Sequence, residues 1–218
     1  TLYGYYSQKQ YEANGIIYIY KNISKKEIHL TQVSNKLLSG TELTKIFSDN
    51  IFMGEVLEYQ RWPVKWKQAH KNLDKIDQLP DNITAWVAFT VTAYNIFHLP
   101  EFMLWKLKES GWKKINSSPQ KPIITHHVAH GPRRANIRLL SSELKLKVHN
   151  HYDYYKFKVA QDNTIDEKIK SKFNKILDSV ENYMMAEDYS EKIPEFIKFT
   201  NYLDKERGQS IVDVVPQY

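Results

Sequence analysis

The sequence predicts an α/β protein in which a partial (half) parallel β/α barrel is followed by a mostly helical C-terminal region. Up to Gly111, β-rich segments alternate with segments of helical spacing, the order typical of a parallel sheet with helical connections. After residue 163, two long segments carry helix-start signals and apolar residues along one face. We therefore expect a partial barrel over residues 1–120, and a basic strand–helix segment with C-terminal helices over 121–218.

The first part contains four predicted strands and three predicted helices, in the order strand, strand, helix, strand, helix, strand, helix. The strands are expected at 16–20, 26–33, 50–56 and 83–92, and the helices at 39–47, 63–76 and 99–111. Ser39 and Glu42 have the spacing of a capping box. Pro63 and Pro100 suit first helical turns, and Gly111 suits a helix end. This alternation is the basis of the barrel prediction.

The second part begins with two short predicted strands, at 122–128 and 135–140, and continues with three helices. The first helix is polar and covers 141–159. The second is opened by Thr164 and Glu167 at capping-box spacing. The last runs from Pro194 to Arg207 and ends at Gly208.

Composition excludes several classes of site. The chain of 218 residues has 42% apolar residues and no cysteine. It therefore cannot supply disulfides, zinc thiolates, a cysteine nucleophile or an iron–sulfur cluster from its own residues. No apolar run approaches the roughly 18–20 residues of a membrane span, and residues 1–15 lack a signal-peptide pattern. We expect a soluble, cytoplasmic protein that does not bind a membrane.

Positive charge is concentrated between residues 121 and 158, which hold eight Lys or Arg, two acids and five of the eight histidines. Arg133, Arg134 and Arg138 follow a Gly-Pro turn and suit phosphate, so nucleic acid or another polyanion is one predicted ligand. The alternative is a basic turn before a strand. His126 and His127 would face opposite sides of a strand, which favours solvated or aromatic-packed histidines over a metal site.

Four segments resemble one protein family in the same order. They are "EYQRWPVKW" with Glu58, Tyr59, Arg61, Trp62, Pro63 and Trp66; "FTVTAYN" with Thr92, Tyr94 and Asn95; "NIRLLSSELKLKV" (136–148); and "FTNYLDKERGQSIVDVVPQY" (199–218). Together they are similar to the twitch-domain group of radical S-adenosylmethionine proteins, which is common in tailed phages and marine bacteria. The resemblance covers residues 26–218.

The resemblance implies a barrel that binds S-adenosylmethionine at the carboxyl ends of its strands. The cofactor-binding candidates carried over are Asn35, Glu55, Arg61, Thr92 and Asn95. Two departures stand out: the family's Cys-x-x-x-Cys-x-x-Cys and Gly-Gly-Glu-Pro segments are missing. Glu55 is a candidate only as a substitute for the family's ribose-binding aspartate. No cofactor is therefore expected on this chain alone, and S-adenosylmethionine only with a partner chain.

Three functional interpretations remain open. The chain is a split subunit that completes a barrel with a cysteine-bearing partner, a non-catalytic interaction protein such as a phage particle component, or a basic nucleic-acid-binding protein. Another protein chain is the expected partner in the first two interpretations, and nucleic acid contacting residues 121–158 is the partner in the third. The resemblance adds a phage-infected host cell or a virion to the expected cytoplasmic location.

Overall fold

The structure, a computed structural model, describes residues 18–19, 31–32, 51–80, 82–83 and 85–218. The chain divides into two compact units, residues 1–52 and 53–218. The described helices include none with both the length and the apolar character needed to cross a bilayer.

In the first unit the structure describes one pair of short strands. Strand β1 (Tyr18–Ile19) and strand β2 (Thr31–Gln32) are antiparallel, with Tyr18 opposite Gln32. They lie within the predicted strands 16–20 and 26–33. The predicted helix 39–47 and its capping box are outside the described residues, as is Asn35.

Helix α1 (Ile51–Gln60) replaces the predicted strand at 50–56. A short apolar run fits a buried strand or a buried helix equally well. Val56 and Tyr59, which lie three residues apart, are both buried. Residues at this spacing share one face of a helix but lie on opposite faces of a strand. Gly54 faces Trp66 so closely that a Cβ atom there would lie 2.9 Å from the Trp66 Cβ. The glycine thus permits close packing between α1 and the next helix.

Helix α2 (Trp66–Asp77) begins three residues later than predicted. Pro63 lies in a turn after a cis peptide bond, and Lys65 is the residue that precedes the helix. Trp66 and Leu73, one face of α2, pack against a small cluster of Trp105, Trp112 and Ile115. Trp66 therefore holds α2 against this aromatic cluster.

A strand–helix–strand unit follows. It consists of β3 (Ala88–Val91), a 3₁₀ turn (Ile96–His98), helix α3 (Leu99–Lys108) and β4 (Thr125–Val128). The strands β3 and β4 are parallel, with Thr90 beside His127 and Val91 beside Val128. The predicted α/β character and parallel pairing are confirmed at this level. The described residues contain no third strand in this sheet, so a barrel wall of three or four strands is not observed in them.

The C-terminal region is helical, as predicted. Its helices are α4 (Ser142–Gln161), α5 (Glu167–Ala186), α6 (Ile193–Arg207) and the short α7 (Ile211–Val214). The predicted strand at 135–140 is wrong. Those residues belong to 3₁₀ turns at Arg133–Ala135 and Ile137–Leu139, and a further 3₁₀ turn lies at Ser190–Lys192. The strand β3 pairs with β4, so residues on both sides of position 120 share one sheet.

Capping follows the sequence except at α5. The Ser141 hydroxyl accepts from the Leu144 N–H at the start of α4, and Gly208 ends α6 with a positive φ of 60°. At α5 the cap is Asp166, whose carboxylate accepts from the Lys168 N–H. Thr164 instead bonds the Asp162 carboxylate, so the predicted capping role of Thr164 is wrong. Either acceptor satisfies free N–H groups of a first turn.

The hydrophobic core lies on one face of the parallel pair. Phe89 and Val128 pack against buried residues of α3, α4 and α5, including Val148, Phe173 and Val180. The opposite face carries Ala88, Thr90 and His127, which are exposed. Among the described residues, helices therefore cover one side of the sheet, and no helix or strand covers the other.

Candidate functional site at the carboxyl ends of the parallel strands

The carboxyl ends of β3 and β4 carry two of the predicted sets of site residues. Thr92 and Asn95 follow β3, and Arg133 and Arg134 follow β4. Ligands of open α/β sheets bind at this edge, because strand ends and the following loops leave a crevice there. The two sets, which lie about 40 residues apart in sequence, are thus brought to the same edge of the sheet.

Asn95 closes the turn after β3. Its Oδ1 accepts from the Thr92 N–H at 2.8 Å, and its Nδ2 donates to the Thr90 carbonyl at 2.9 Å and to Gln60 Oε1 at 3.1 Å. Gln60 Nε2 donates to Thr92 Oγ1 at 2.6 Å. Asn95 is buried and all three of these bonds are internal. Asn95 therefore joins α1 to the end of β3, which is a structural role.

The end of α1 is also joined to α6. The Tyr59 hydroxyl donates to Asp204 Oδ1 at 2.7 Å, and Arg207 Nη1 donates to the Tyr59 carbonyl at 3.0 Å. Asp204 Oδ2 accepts from the Ile211 N–H at 3.0 Å. Burial, followed by the hydrogen bond and charge of Asp204, raises the pKa of Tyr59 well above its ordinary value. Tyr59 therefore stays protonated and donates to Asp204 throughout the neutral range.

Helix α6 lies across the carboxyl ends of both strands. Its Glu195 contacts Arg134 at 3.4 Å, its Thr200 bonds the Tyr94 hydroxyl at 2.9 Å, and its Asp204 bonds Tyr59. The C-terminal Tyr218 adds a hydrogen bond to the Ala93 carbonyl. Residues 93–95 are buried beneath these groups. The crevice after β3 is thus filled by the protein's own C-terminal segment.

Arg61 and Trp62 lie in an exposed turn that also includes residues 63–65. Arg61 has no side-chain hydrogen bond or ion pair among the described residues, and its side chain faces solvent. Trp62 is 54% exposed, and the Arg207 guanidinium lies 5.7 Å from its ring centroid. Glu58, in contrast, accepts from the Trp66 N–H at 3.0 Å and pairs with Lys65 at 2.7 Å.

Two further cofactor-binding candidates are not brought to the strand ends by a described contact. Glu55 lies on α1 rather than at a strand end, and it is exposed. Asn35 is outside the described residues. Of the five cofactor-binding candidates, the structure therefore brings only Thr92 and Asn95 into direct contact among the described residues. Arg61 follows Gln60, which bonds both of them.

The three candidate arginines have different surroundings. Arg138 pairs with Glu187 at 2.8 Å, donates to the Tyr183 carbonyl at 3.0 Å and is 12% exposed. Arg134 stacks on the Phe199 ring at 4.2 Å and has the longer contact to Glu195. Arg133 is exposed, with its guanidinium 5.0 Å from the Tyr189 ring. Arg138 is therefore a structural residue, whereas Arg133 is accessible.

The positive surplus of residues 121–158 is largely compensated in space. Of its cations, Arg134, Arg138, Lys145 and Lys156 pair with acids between residues 178 and 195, which lie on α5 and α6 and between them. Lys147 pairs with Glu143 one turn away. A local charge count along the sequence misses these pairs because the acids come from a later segment. The segment is therefore a weaker polyanion surface than its composition suggests.

The histidines that the sequence singled out are spread over several partners. His126 lies 3.4 Å from the Ser179 hydroxyl, His130 lies 3.1 Å from the Tyr183 hydroxyl, and His127 is exposed. Within the described ranges, no three His, Asp or Glu side chains are grouped so that they could hold a metal ion.

A polar cluster that the sequence reasoning missed lies on α3. Glu101 sits between His98, at 3.0 Å, and His151 of α4, at 3.4 Å. Burial alone would raise the pKa of Glu101, but the hydrogen bonds and charges of His151 and His98 hold it at about 2. The spacing of His98 and Glu101 on one helical face was the available signal. His151 could not be found in this way because it comes from another helix.

Comparison of the chain with protein-family models, with curated proteins and with solved structures finds no match.

Proposed function

We propose that this chain is part of a β/α barrel of the radical S-adenosylmethionine type, which a cysteine-bearing polypeptide completes, and that it is inactive alone. The observation that carries the proposal is the open face of the β3–β4 sheet. Parallel sheets are normally covered on both faces. Here helices cover one face, while Ala88, Thr90 and His127 are exposed on the other. A second polypeptide that adds strands would cover that face.

The character of the open face also supports a barrel interior. The exposed residues of this face are small or polar. Barrels that enclose a ligand have interiors lined with side chains that contact it, whereas small closed barrels fill their interior with apolar packing. A polar open face therefore favours an interior that holds a ligand.

The contacts between the segments of the resemblance give independent support. Tyr59 and Gln60, Thr92 to Asn95, and Asp204 to Arg207 come from three of its four segments, and they bond one another directly. Their convergence fits one inherited structural unit.

The described residues do not by themselves fit the family's cofactors. The cluster requires thiolates, and the chain has no cysteine. Of the residues predicted to bind S-adenosylmethionine, Asn95 already uses its side-chain amide in hydrogen bonds to other residues of the chain. Glu55 lies on a helix and is exposed. No chemical step is assigned to this chain, and its role in the proposal is to complete and position the barrel.

The test is co-purification from the native source with a tagged full chain, followed by mass spectrometry. We expect a partner that contains Cys-x-x-x-Cys-x-x-Cys. Thr90→Arg, which places a large charged group on the open face, is expected to abolish its recovery. Ser171→Arg, on the exposed face of α5, is the matched control and is expected to retain it.

The complex, but not the chain alone, is expected to show iron–sulfur absorbance after anaerobic reconstitution. A partner without cysteines would contradict the proposal and favour the non-catalytic interaction protein. Equal recovery with Thr90→Arg and Ser171→Arg would show that the open face is not the site of association.

A further inference from the structure

The turn between α1 and α2 presents an exposed tryptophan. Trp62 is 54% exposed, although five tryptophans in this chain include three that are buried or packed in the Trp105 cluster. A large apolar side chain left in solvent costs free energy. The groups near an exposed tryptophan therefore indicate what kind of ligand could cover it. Trp86 is also 54% exposed. Its equal exposure makes Trp86 a matched control for Trp62.

One cation without a carboxylate partner among the described residues lies over the Trp62 ring, and a second precedes Trp62 in the sequence. Arg207 lies 5.7 Å from the Trp62 ring centroid and donates only to a backbone carbonyl among the described residues. Arg61 has no side-chain partner in that part of the chain. Lys65, in the same turn, is already neutralised by Glu58 at 2.7 Å. Arg61 of the turn and Arg207 of α6 thus offer two positive charges without a carboxylate partner among the described residues, and Arg207 lies over the Trp62 ring.

The turn is held in place from both sides. The Val64 N–H donates to the Arg61 carbonyl at 2.9 Å, and the Glu58 carboxylate accepts from the Trp66 N–H at 3.0 Å. Arg207 fixes the preceding residues through the Tyr59 carbonyl. A ligand would therefore meet the backbone of the turn and the Arg207 guanidinium in a fixed arrangement, which lowers the ordering cost of binding.

We propose that Arg61, Trp62 and Arg207 form a binding surface for a nucleotide unit, in which a base stacks on the indole and a phosphate pairs with the guanidinium groups. An aromatic platform beside arginines is the arrangement that proteins use for unpaired nucleotides. An acidic peptide would satisfy the arginines but would leave the indole uncovered. The shared chemistry belongs to a free nucleotide and to a nucleic acid single strand.

The experiment measures binding of the full chain to three probes: adenosine, AMP and a fluorescent oligothymidylate of about 12 nucleotides, within the site sizes of single-strand binders. Trp62→Ala is compared with Trp86→Ala, and Arg61→Ala with Lys65→Ala. All four side chains are exposed, and circular dichroism confirms that the variants remain folded. A poly-glutamate peptide is the fourth probe.

Trp62→Ala is expected to weaken binding roughly 5- to 150-fold, the effect of losing one base stack, while Trp86→Ala leaves it unchanged. Arg61→Ala is expected to reduce the salt dependence of oligonucleotide binding by about 0.7 in log–log slope, the value of one phosphate contact, while Lys65→Ala does not. Binding of AMP but not adenosine identifies a free nucleotide as sufficient. Binding of the oligonucleotide alone identifies a single strand.

Three results would overturn the proposal. The first is equal loss of binding in Trp62→Ala and Trp86→Ala. The second is the absence of binding to both AMP and the oligonucleotide at about 50 mM salt, where phosphate contacts are strong. The third is binding of poly-glutamate as tightly as the oligonucleotide, which would identify an acidic protein partner instead.

Discussion

Tyr59 and Trp62 lie three residues apart in one sequence motif, yet the structure uses them in opposite ways. Tyr59 is 2% exposed and its hydroxyl is bonded to Asp204. Trp62 is 54% exposed, and the arginines near it have no carboxylate partner among the described residues. The first belongs to a buried polar network that joins α1, β3 and α6. The second belongs to a surface turn.

The difference in burial between Tyr59 and Trp62 shows that one sequence motif contains both structural residues and exposed residues that are available for binding. In the network, which comprises Tyr59, Gln60, Thr92, Asn95 and Asp204, donors and acceptors satisfy one another, so substitution should cost stability. In the turn formed by residues 61–65, the side chains face water. Substitutions there should change the free energy of unfolding little but should weaken the proposed ligand binding strongly. The contrast predicts a graded series of effects.

The largest effect on stability is expected for Asn95→Ala. The substitution removes four hydrogen bonds, three of them no longer than 3.1 Å, and leaves the Thr92 N–H without its acceptor. We expect the free energy of unfolding to fall by about 3 kcal/mol, since each buried bond contributes about 1 kcal/mol. Urea denaturation followed by circular dichroism measures it. Asn150→Ala on the exposed face of α4 is the control, and an equal loss in both variants would contradict the structural role of Asn95.

Asp204→Asn should have the next largest effect. An amide can accept from the Tyr59 hydroxyl but cannot accept from the Ile211 N–H with its nitrogen. The loss of one bond to a charged group should lower the free energy of unfolding by about 2 kcal/mol. Asp213→Asn, at an exposed position of α7, is the comparison. If Asp204→Asn is as stable as Asp213→Asn, the network does not hold α6 in place.

Tyr59→Phe tests the buried network through the pH dependence of the free energy of unfolding. The pKa of Tyr59 is raised on folding, so its stabilising contribution is complete below the ordinary tyrosine pKa of 10.0 and is lost as the pH rises beyond it. Removing the hydroxyl should flatten the alkaline fall in the free energy of unfolding by up to about 1.4 kcal/mol per pH unit above pH 10. Denaturation between pH 8 and about 11 measures the slope.

Tyr202→Phe, at a ring that is 59% exposed, is the matched control for that slope. The raised pKa values of Tyr152 and Tyr218 act in both wild type and variant, whereas Tyr94 interacts with Tyr59 and belongs to the same alkaline transition. The difference between the two curves therefore reports Tyr59 together with its interaction with Tyr94. Identical alkaline slopes in wild type and Tyr59→Phe would argue against the buried bond to Asp204.

The smallest effect on stability is expected in the turn. Trp62→Ala should change the free energy of unfolding by less than about 0.5 kcal/mol, as is usual for surface positions. Thermal unfolding beside Trp86→Ala measures this, since both rings are equally exposed. A loss of 2 kcal/mol or more, the range of core truncations, would show that Trp62 packs against the fold and would remove the contrast.

Several elements follow from the sequence because their causes are local. Ser141 caps α4, Gly208 ends α6, and Pro100 lies in the first turn of α3, each through contacts within four residues. The strand 83–92 and the strand 122–128 were also predicted, and β3 and β4 lie within them. Neighbouring residues suffice for such features, because a cap or a turn is completed by its own segment.

The candidate site could be predicted only in part, for the same reason. Thr92 and Asn95 were singled out, and their bond to each other is local. Gln60 and Asp204 were not, because their partners lie 32 and 145 residues away in the sequence. Arg138 was assigned to a polyanion from its neighbours in sequence, but it is paired with Glu187.

By itself, the sequence determined the helices of the C-terminal region, the parallel strand–helix–strand unit and the lack of cysteine ligands in this chain. Only the tertiary structure decided that residues 51–60 are helical, that the acids of residues 178–195 neutralise a basic segment, and that Trp62 stays in solvent. Propensity and capping act between neighbours, whereas burial and charge pairing depend on which distant segments meet. Contacts between segments that are distant in sequence are set by the packing of the whole fold.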